Sequence, residues 1–269
     1  MLGQLNMSGL DKVETAIKRL QTFEPPEGYY LAFSGGKDSV VIKALADMAG
    51  VKYDTHYNLT SVDPPELVRF IKEQHPDVSI EKPRDEDGHQ ITMWNLIPRK
   101  KMPPTRVARY CCEVLKEGGG EGRFTITGVR WAESARRKTG RSGLEIEKGA
   151  KRRFFADPDN PDNAKMTESC PVKGKHVLNP IIDWENADVW EFIHKYNIPY
   201  CKLYDKGCTR LGCIGCPISS KKAEELERYP TYKRAYLRAF GKMLKVLDDE
   251  SRKTTWRTPE DVMEWWLNG

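Results

Sequence analysis

The sequence predicts an α/β fold with a doubly wound, mostly parallel sheet and a helical C-terminal extension. Short apolar runs alternate along the chain with segments whose apolar residues recur at helical spacing, and this alternation is typical of parallel sheets. The first apolar run, at 29–33, leads into a glycine-rich turn and then directly into a helical pattern. We expect two parts, an α/β domain at 1–217 and a helical extension at 218–269.

The remaining elements follow in order. Helical spacing of apolar residues predicts helices at 11–23, 40–48, 67–71, 91–102 and 189–196. Strands are predicted at 29–33, 51–57, 78–80, 124–128 and from 177. Between 140 and 175 the periodicity fails, and glycine, proline and Asp-Pro-Asp indicate a mobile insertion. After residue 217 an apolar stripe and three tryptophans predict a packed helical tail.

The turn Ser34-Gly35-Gly36-Lys37-Asp38-Ser39, which we call the anion loop, has the composition of an anion-binding site. Its glycines let the backbone approach a ligand closely, and the first amides of the next helix lack acceptors within the helix. The helix dipole and Lys37 add positive charge, and the two serines add hydroxyl donors. We therefore expect phosphate, pyrophosphate or sulfate to bind here.

Composition excludes several classes of protein. A hydrophobic fraction of 39% and a mean hydropathy of −0.66 predict a soluble chain with no membrane span. The N-terminus lacks the plan of a signal peptide, so we expect a cytoplasmic location. A net charge of +5 permits nucleic-acid contact without requiring it. Seven cysteines, several of them close together, indicate reduced thiols or metal ligands.

The anion loop resembles the pyrophosphate loop of the adenine-nucleotide alpha-hydrolase superfamily, whose members bind ATP or an adenylyl sulfate there. The segment 128–137, Gly-Val-Arg-Trp-Ala-Glu-Ser-Ala-Arg-Arg, and the segments around Asn179-Pro180-Ile181 and Leu203-Tyr204-Asp205 are similar to the phosphoadenosine phosphosulfate (PAPS) reductase family. This resemblance covers roughly 29–217 without the insertion. It implies a Rossmann-like sheet of the adenine nucleotide alpha-hydrolase type.

The resemblance also implies a set of site residues. Nucleotide binding is expected at Ser34, Gly35, Gly36, Lys37, Asp38, Ser39, Thr60, Gly128, Arg130, Glu133 and Arg136, with catalytic roles for Lys37, Asp38 and Arg130. A guanidinium such as that of Arg130 donates hydrogen bonds in pairs to phosphate or sulfate oxygens. Thr60 and Asp63 have a second interpretation, because both residue types also cap helices.

Five cysteines form a candidate metal site. Cys208, Cys213 and Cys216 have the C-x4-C-x2-C spacing of plant-type iron–sulfur ligation, and the vicinal pair Cys111-Cys112 can supply a fourth thiolate. Family members that carry a [4Fe-4S] cluster use such a pair with a C-x-x-C, so the resemblance implies Cys111, Cys112, Cys213 and Cys216. Cys208 departs from that pattern and can replace one member of the pair. Four thiolates also suit Zn²⁺, which is the alternative metal.

The resemblance implies an enzyme of sulfur metabolism that reacts at the phosphate or sulfate end of an adenine nucleotide. Reductases of the family use a cysteine in a C-terminal tail, whereas this chain has no cysteine after Cys216. We therefore favour an ATP pyrophosphatase that adenylates an acceptor in sulfur transfer, similar to iron–sulfur members that act in DNA phosphorothioation. Mg²⁺ would neutralise the phosphates, while Lys37 and Arg130 would stabilise the leaving group.

Two other functions stay open. The first is a PAPS or adenylyl sulfate reductase that produces sulfite, with Cys170, Cys201 or the spare cluster thiol as nucleophile. The second is a nucleotide-sensing or redox-sensing module without turnover. A sulfur-donor or electron-donor protein is the expected partner. A basic run at 148–153 adjoins two phenylalanines, and this pattern fits either a solvated loop or contact with a nucleic-acid acceptor. Assembly into a homo-oligomer is compatible with the sequence.

Overall fold

The structure is a computed structural model that describes residues 1–5, 9–148, 152–160, 162, 163 and 175–268. Its strands are β1 (Tyr29–Ala32), β2 (Tyr53–Asn58), β3 (Ser79–Glu81), β4 (Phe124–Ile126), β5 (Leu144–Lys148), β6 (Arg152–Ala156) and β7 (Lys175–Leu178). Its helices are α1 (Lys12–Thr22), α2 (Lys37–Ala49), α3 (Pro65–Gln74), α4 (Met93–Lys100), α5 (Tyr110–Leu115), α6 (Ala135–Gly140), α7 (Asn186–Lys195), α8 (Lys222–Arg228), α9 (Pro230–Asp249) and α10 (Pro259–Asn268).

The chain divides into two compact units, each assembled from separate stretches of sequence. The first unit comprises Met1–Tyr57, Glu66–Ser79 and Gly119–Leu211. The second unit comprises Asn58–Pro65, Ile80–Gly118 and Gly212–Gly269. Hydrophobic periodicity does not reveal such discontinuous units, and the predicted boundary after residue 217 stays a prediction.

A seven-stranded sheet has the order β3-β2-β1-β4-β7-β5-β6. Strand β1 is parallel to β2 and β4, and β4 is parallel to β7, whereas β5 is antiparallel to β6 and β7. The predicted α/β fold with a mostly parallel sheet is therefore confirmed. In the pairing of β1 with β4, Leu31 lies opposite Ile126, so the segments that follow these two strands begin at the same edge of the sheet.

Helix α2 is the central helix of the first unit, where it packs against α1 and α7. Helix α1 begins at Asp11, whose carboxylate accepts hydrogen bonds from the amides of Val13 and Glu14 at 2.8 and 2.9 Å. Helix α2 ends at Gly50, which has a left-handed φ of +67°. Apolar side chains on this helix and its neighbours are completely buried, including Leu20, Leu31, Val41, Ile42, Leu45, Val189 and Phe192.

Strands β5 and β6 lie in the segment from 140 to 175, for which periodicity predicts no regular structure. They form an antiparallel hairpin in which Ile146 lies opposite Phe154. The apolar alternation here is limited to Leu144 and Ile146 within one five-residue strand, which is too short a pattern to identify a strand. Residues 164–174 of the segment lie outside the described part of the chain.

The second unit is helical. Helix α9 packs against α4, α8 and α10, which confirms the predicted C-terminal helices. Its core contains a group of rings in which Trp266 lies 4.8 Å from Tyr236 and 5.6 Å from Phe240, measured between ring centroids. Across the described residues, none of the helices combines the length and the apolar composition that crossing a bilayer requires.

Candidate functional site

Gly35 gives the anion loop a backbone conformation that other residues rarely adopt. Its φ is +70°, in the left-handed region. A Cβ atom at this position would lie 2.7 Å from Cδ1 of Leu67 and 2.8 Å from Cδ1 of Ile71, both on α3. The loop therefore requires glycine here because of both its conformation and its close packing.

The two serines of the anion loop hydrogen-bond within the loop. The Ser39 hydroxyl donates to the carbonyl oxygen of Gly36 at 2.8 Å, and the oxygens of Ser34 and Ser39 lie 3.2 Å apart. The Gly36 amide donates to Ser34 Oγ at 3.3 Å. These contacts brace the loop, which is a role that the sequence does not predict for the two hydroxyls.

The first amide of α2 has a side-chain acceptor. The amide of Lys37 donates to the phenolic oxygen of Tyr204 at 2.8 Å, and Lys37 Nζ lies 5.9 Å from the centre of the Tyr204 ring. Burial raises the pKa of Tyr204, so its hydroxyl stays neutral and accepts this bond. Tyr204 is thus part of the anion site, although the sequence analysis gave it no role.

Asp38 lies between two cations. Its Oδ1 accepts a hydrogen bond from Nε of Arg130 at 2.7 Å, and its Oδ2 lies 3.3 Å from Nζ of Lys37. The side chain of Arg130 is 2% exposed, and its Nη1 donates to the carbonyl oxygen of Trp184 at 3.1 Å. The structure therefore brings together the three residues for which catalytic roles are predicted, Lys37, Asp38 and Arg130.

Gly128 packs directly on the first turn of α2. A Cβ atom at Gly128 would lie 3.0 Å from both the carbonyl carbon and the Cβ of Asp38. Such contacts are tight for any side chain, so a substitution would push Asp38 away from its place. The predicted importance of Gly128 has its physical reason in this close approach.

The segment after Arg130 adds further charged groups. Glu133 accepts a hydrogen bond from the Arg130 amide at 3.1 Å and forms an ion pair with Arg137. Burial and the neighbouring cations Arg210 and Arg141 lower the pKa of Arg137, which therefore lies in a strongly positive field. Arg136, for which nucleotide binding is predicted, is exposed, and its role stays a prediction. Arg137 is half-buried and is a further candidate for contact with an anion.

The anion loop and its neighbours form a site with an excess of positive charge. Lys37, Arg130 and Arg137 are cations, and two carboxylates, those of Asp38 and Glu133, pair with them. A buried cation paired with one carboxylate still attracts a second anion, because the interior screens charges weakly. The arrangement can thus hold a phosphate, pyrophosphate or sulfate group.

A group of four thiols, Cys111, Cys112, Cys213 and Cys216, lies in the second unit. Cys111 and Cys112 are hydrogen-bonded to each other, and Cys111 is within electrostatic range of Cys213 and Cys216. Gly215 has a φ of +70° in the turn that joins the latter two, and its amide donates to Glu225 Oε2 at 3.0 Å. The structure therefore brings together the four cysteines that the family resemblance implies.

Basic groups surround the four thiols. The hydrogen bond from Cys111 and the nearby Arg109 guanidinium lower the pKa of Cys112 to about 5. Burial raises the pKa of Cys213, whose thiolate charge raises the pKa of Lys116. The sequence does not single out Arg109 and Lys116, although their spacings of three and four residues from Cys112 place them at the two ends of α5. Positive charge favours the thiolate forms that bind metals.

The four thiols are spaced more widely than the ligands of a bound zinc ion. Throughout the residues that the structure describes, no three cysteine sulfurs lie within 4.8 Å of one another. Zinc, with Zn–S bonds of about 2.3 Å, holds its four sulfurs roughly 3.8 Å apart. Four cysteine thiolates are also the ligands that iron–sulfur clusters use, so an iron–sulfur cluster and a zinc ion both stay candidates.

Thr60, Cys208 and Cys170 also have roles predicted from the sequence. Thr60 lies in the second unit, where its amide donates to Asp63 Oδ2 at 2.7 Å and its hydroxyl lies 3.5 Å from Cys213 Sγ. Cys208 belongs to the first unit, where it interacts with Cys201 and Tyr204. Cys170 lies outside the described residues. Roles for Thr60 in nucleotide binding and for Cys208 in metal binding stay predictions.

Comparison with known proteins supplies the family. Residues 28–219 match the phosphoadenosine phosphosulfate reductase domain, which covers more than half of the chain. The chain belongs to the PAPS reductase family. The predicted resemblance to this family, and to the adenine-nucleotide alpha-hydrolase superfamily that contains it, is confirmed. The PAPS reductase domain includes the anion loop, Arg130 and all four grouped thiols.

Relatives of this PAPS reductase family member are distant. An uncharacterized protein of Methanocaldococcus jannaschii is 28% identical over 244 residues, which are 85% of this chain and 51% of that protein. An adenosine 5′-phosphosulfate reductase of Geobacillus thermodenitrificans is 27% identical over 175 residues, which are 65% of this chain and 60% of the reductase. This chain thus spans only part of the length of these two relatives.

A solved structure shows the same fold. The crystal structure of phosphoadenylyl-sulfate (PAPS) reductase from Candida auris, in a phosphate complex, matches with a TM-score of 0.50 at 16% identity. The match covers 78% of this chain and 96% of the Candida auris chain. At this level of identity the similarity establishes the shared architecture alone.

Proposed function

We propose that this chain is an enzyme that binds an adenine nucleotide with its phosphate end at the anion loop and transfers the adenylyl group with release of pyrophosphate. We place this reaction in sulfur-transfer chemistry. The observation that supports the proposal is the contact between Asp38 and Arg130, which joins the two sequence segments that carry the family resemblance. Because this contact lies at the first turn of α2, the fixed cations and the helix dipole act on the same position.

The residues of the anion site have distinct tasks in this reaction. Lys37 and the N-terminus of α2 hold the β- and γ-phosphates, and Mg²⁺ enters with the nucleotide as part of the substrate. The acceptor attacks the α-phosphorus, a new bond forms there, and the bond to the pyrophosphate oxygen breaks. Arg130 and Arg137 stabilise the negative charge that develops on the departing pyrophosphate. Asp38 orients Lys37 and Arg130 and is not itself consumed.

Tyr204 changes partners when the ligand binds. Its hydroxyl accepts the Lys37 amide, which is the first donor that a phosphate at this helix terminus would use. A phosphate oxygen that takes over the amide leaves the Tyr204 hydroxyl free to donate to the same anion. The loop therefore keeps its first amide satisfied both with and without a ligand.

Cys111, Cys112, Cys213 and Cys216 would hold an iron–sulfur cluster in the second unit. Such a cluster supplies a redox-active or structural centre when it is bound. Arg109 and Lys116 would compensate the negative charge of the four thiolates, and the hydroxyl of Thr60, 3.5 Å from Cys213 Sγ, is placed to hydrogen-bond to that sulfur. Contacts of this kind would alter the reduction potential of a bound cluster, whatever reaction the cluster serves.

A reductase that releases sulfite is the second candidate, because the family includes adenosine 5′-phosphosulfate reductases such as the one from Geobacillus thermodenitrificans. A reductase needs a nucleophilic thiolate. Burial raises the pKa of Cys201, which makes this residue a poor nucleophile, and Cys208 is half-buried beside it. Cys201 is therefore unsuited to be the nucleophile of a reductase.

A side-by-side assay tests the proposal. Anaerobically purified protein is incubated with ATP and Mg²⁺, with adenylyl sulfate, and with PAPS, the latter two in the presence of a thiol reductant. We expect AMP and pyrophosphate from ATP, because water attacks the α-phosphorus when no other acceptor is present. Release of sulfite from either sulfonucleotide, without cleavage of ATP, would contradict the proposal and indicate a reductase. Tight nucleotide binding without any product would contradict the proposal and indicate a nucleotide-sensing module without turnover.

A further inference from the structure

A buried carboxylate lies in the first unit where β5 begins. Glu145 is 0% exposed, and its Oε1 accepts hydrogen bonds from Arg141 Nε at 2.7 Å and from Asn179 Nδ2 at 2.9 Å. The same oxygen lies 3.2 Å from the amide nitrogen of Ser142. Together these three contacts hold the carboxylate in place, and the carboxylate in turn fixes the position of the Arg141 guanidinium.

Hydrogen bonds connect this carboxylate to the segment that packs against the anion loop. Asn179 accepts a hydrogen bond from the hydroxyl of Thr127, the residue immediately before Gly128. Gly128 is in turn packed against Asp38. Glu145 therefore belongs to one connected set of contacts with the segment that carries Arg130.

Arg141 contributes its charge to the same region. Arg137 interacts electrostatically with Asp38 and Arg130, and it interacts in the same way with Arg141 and Arg210. Arg141 is 24% exposed, so its guanidinium is neither fully buried nor free in solvent. The backbone of Arg141 also adjoins the segment that carries Arg130, because its carbonyl oxygen accepts a hydrogen bond from Nε1 of Trp131 at 2.9 Å.

We propose that Arg141, fixed by Glu145, is a specificity-determining residue that adds a contact to the terminal phosphate of a polyphosphate chain held at the anion loop. This inference rests on the proposed function and adds to it the preference for an extended polyanion over a single phosphate or sulfate. Glu145 acts through Arg141 and is a positioning residue.

The geometry of the pairing supports this assignment. Glu145 accepts a hydrogen bond from Nε of Arg141. A guanidinium also has a terminal edge formed by its two other nitrogens, and this edge binds phosphate oxygens through parallel hydrogen bonds. Holding the side chain in one rotamer reduces the entropy that such binding costs. The antiparallel hairpin of β5 and β6 gives Glu145 a rigid support on the sheet.

The test compares affinities for ATP, AMP and inorganic tripolyphosphate by titration calorimetry. The double variant Arg141→Gln, Glu145→Gln is preferred to Arg141→Gln alone, because it leaves the net charge unchanged and strands no buried carboxylate. The control is Lys138→Gln, which removes an exposed cation from α6 nearby. Circular dichroism and thermal unfolding confirm that each variant is folded.

We expect the double variant to bind ATP and tripolyphosphate about tenfold more weakly, with AMP affinity changed less than about twofold. An equal loss for ATP and AMP, or a loss no larger than in Lys138→Gln, would overturn the role of Arg141. The single variant Arg141→Lys, which keeps the charge but lacks the planar edge, is expected to fall between the wild type and the double variant. Wild-type protein that binds tripolyphosphate but neither nucleotide would overturn the proposed function, and Arg141 is then tested with tripolyphosphate alone.

Discussion

Arg130 donates from Nε to a carboxylate oxygen of Asp38 across 2.7 Å, although 92 positions separate the two residues in the sequence. The contact ties the first turn of α2 to the segment that follows β4. Since the Arg130 side chain is 2% exposed and that of Asp38 is 22% exposed, the pair is largely removed from solvent. Loss of one partner therefore leaves a poorly solvated charge at the centre of the site.

Asp38→Asn is expected to lower the free energy of unfolding by about 2–3 kcal/mol, below the range for fully buried pairs because Asp38 is partly exposed. The control is Glu250→Gln, which breaks the exposed pair with Lys101 and is expected to cost less than about 1 kcal/mol. Urea unfolding monitored by circular dichroism measures both values. Equal costs for the two variants would mean that the Asp38 contact contributes no more than a surface pair.

A comparison of Gly35→Ala with Gly50→Ala separates the cost of a strained backbone from the cost of steric overlap. Both glycines have similar φ values, +70° and +67°, but a Cβ at Gly50 meets nothing within 4 Å. We expect Gly50→Ala to cost about 1–2 kcal/mol through the left-handed conformation alone. Gly35→Ala is expected to cost more and to abolish phosphate binding, because its Cβ overlaps Leu67 and Ile71. Indistinguishable unfolding curves for the two variants would contradict the packing described for the loop.

Cys213→Ser is expected to remove iron and sulfide from anaerobically purified protein, whereas Cys201→Ser is expected to retain both. Cys213 belongs to the group of four thiols, and Cys201 lies in the other unit with a side chain that is 1% exposed. Iron and sulfide are determined chemically together with the visible absorption spectrum. Colourless wild-type protein with stoichiometric zinc would contradict the cluster, and iron loss in Cys208→Ser would add that residue to the ligands.

The stability of the protein is expected to fall as the pH drops below about 6.5, the ordinary pKa of histidine. Burial, together with the charge of Lys43, lowers the pKa of His75, whose ring packs against Phe33 and Phe70. A base with a lowered pKa stays neutral in the folded chain while the unfolded chain takes up a proton, so acid favours unfolding. The stabilisation is therefore complete above the ordinary pKa and is lost as the pH falls toward the folded-state pKa.

His75→Gln isolates this effect. The variant is expected to show a smaller decrease in the free energy of unfolding between about pH 7.5 and pH 5.5 than the wild type. His176, whose pKa burial also lowers, keeps its contribution in both proteins. Parallel pH profiles for wild type and variant would show that His75 does not couple protonation to folding.

Much of the fold was predictable from local patterns. The turn between β1 and α2 is defined by two glycines and a lysine between a strand and a helix, and the apolar spacing of α1 and α9 identifies both as helices. The hairpin of β5 and β6 was not predictable, because the sequence does not show which polar side chains are buried. Glu145, for example, reads as a solvated residue in the sequence but is completely buried.

The candidate site was predictable where residues lie in one continuous motif and less so where distant segments meet. Lys37 and Asp38 follow from the loop itself, whereas the contact of Tyr204 with the Lys37 amide joins positions 167 apart. Arg136 and Arg137 illustrate the same limit. Both are basic neighbours in sequence, and only the fold shows that Arg137 has the partly buried position and the carboxylate partner.

The most direct measurement is the affinity for ATP of the wild type, of Lys37→Ala and of Lys43→Ala, obtained by titration calorimetry. Lys43 lies on the same helix but pairs with Asp77 at 3.1 Å, so its removal controls for the loss of one cation from α2. We predict that Lys37→Ala binds ATP at least about tenfold more weakly, while Lys43→Ala stays close to the wild type. Equal ATP affinity in the wild type and Lys37→Ala would contradict the assignment of the anion loop as the nucleotide site.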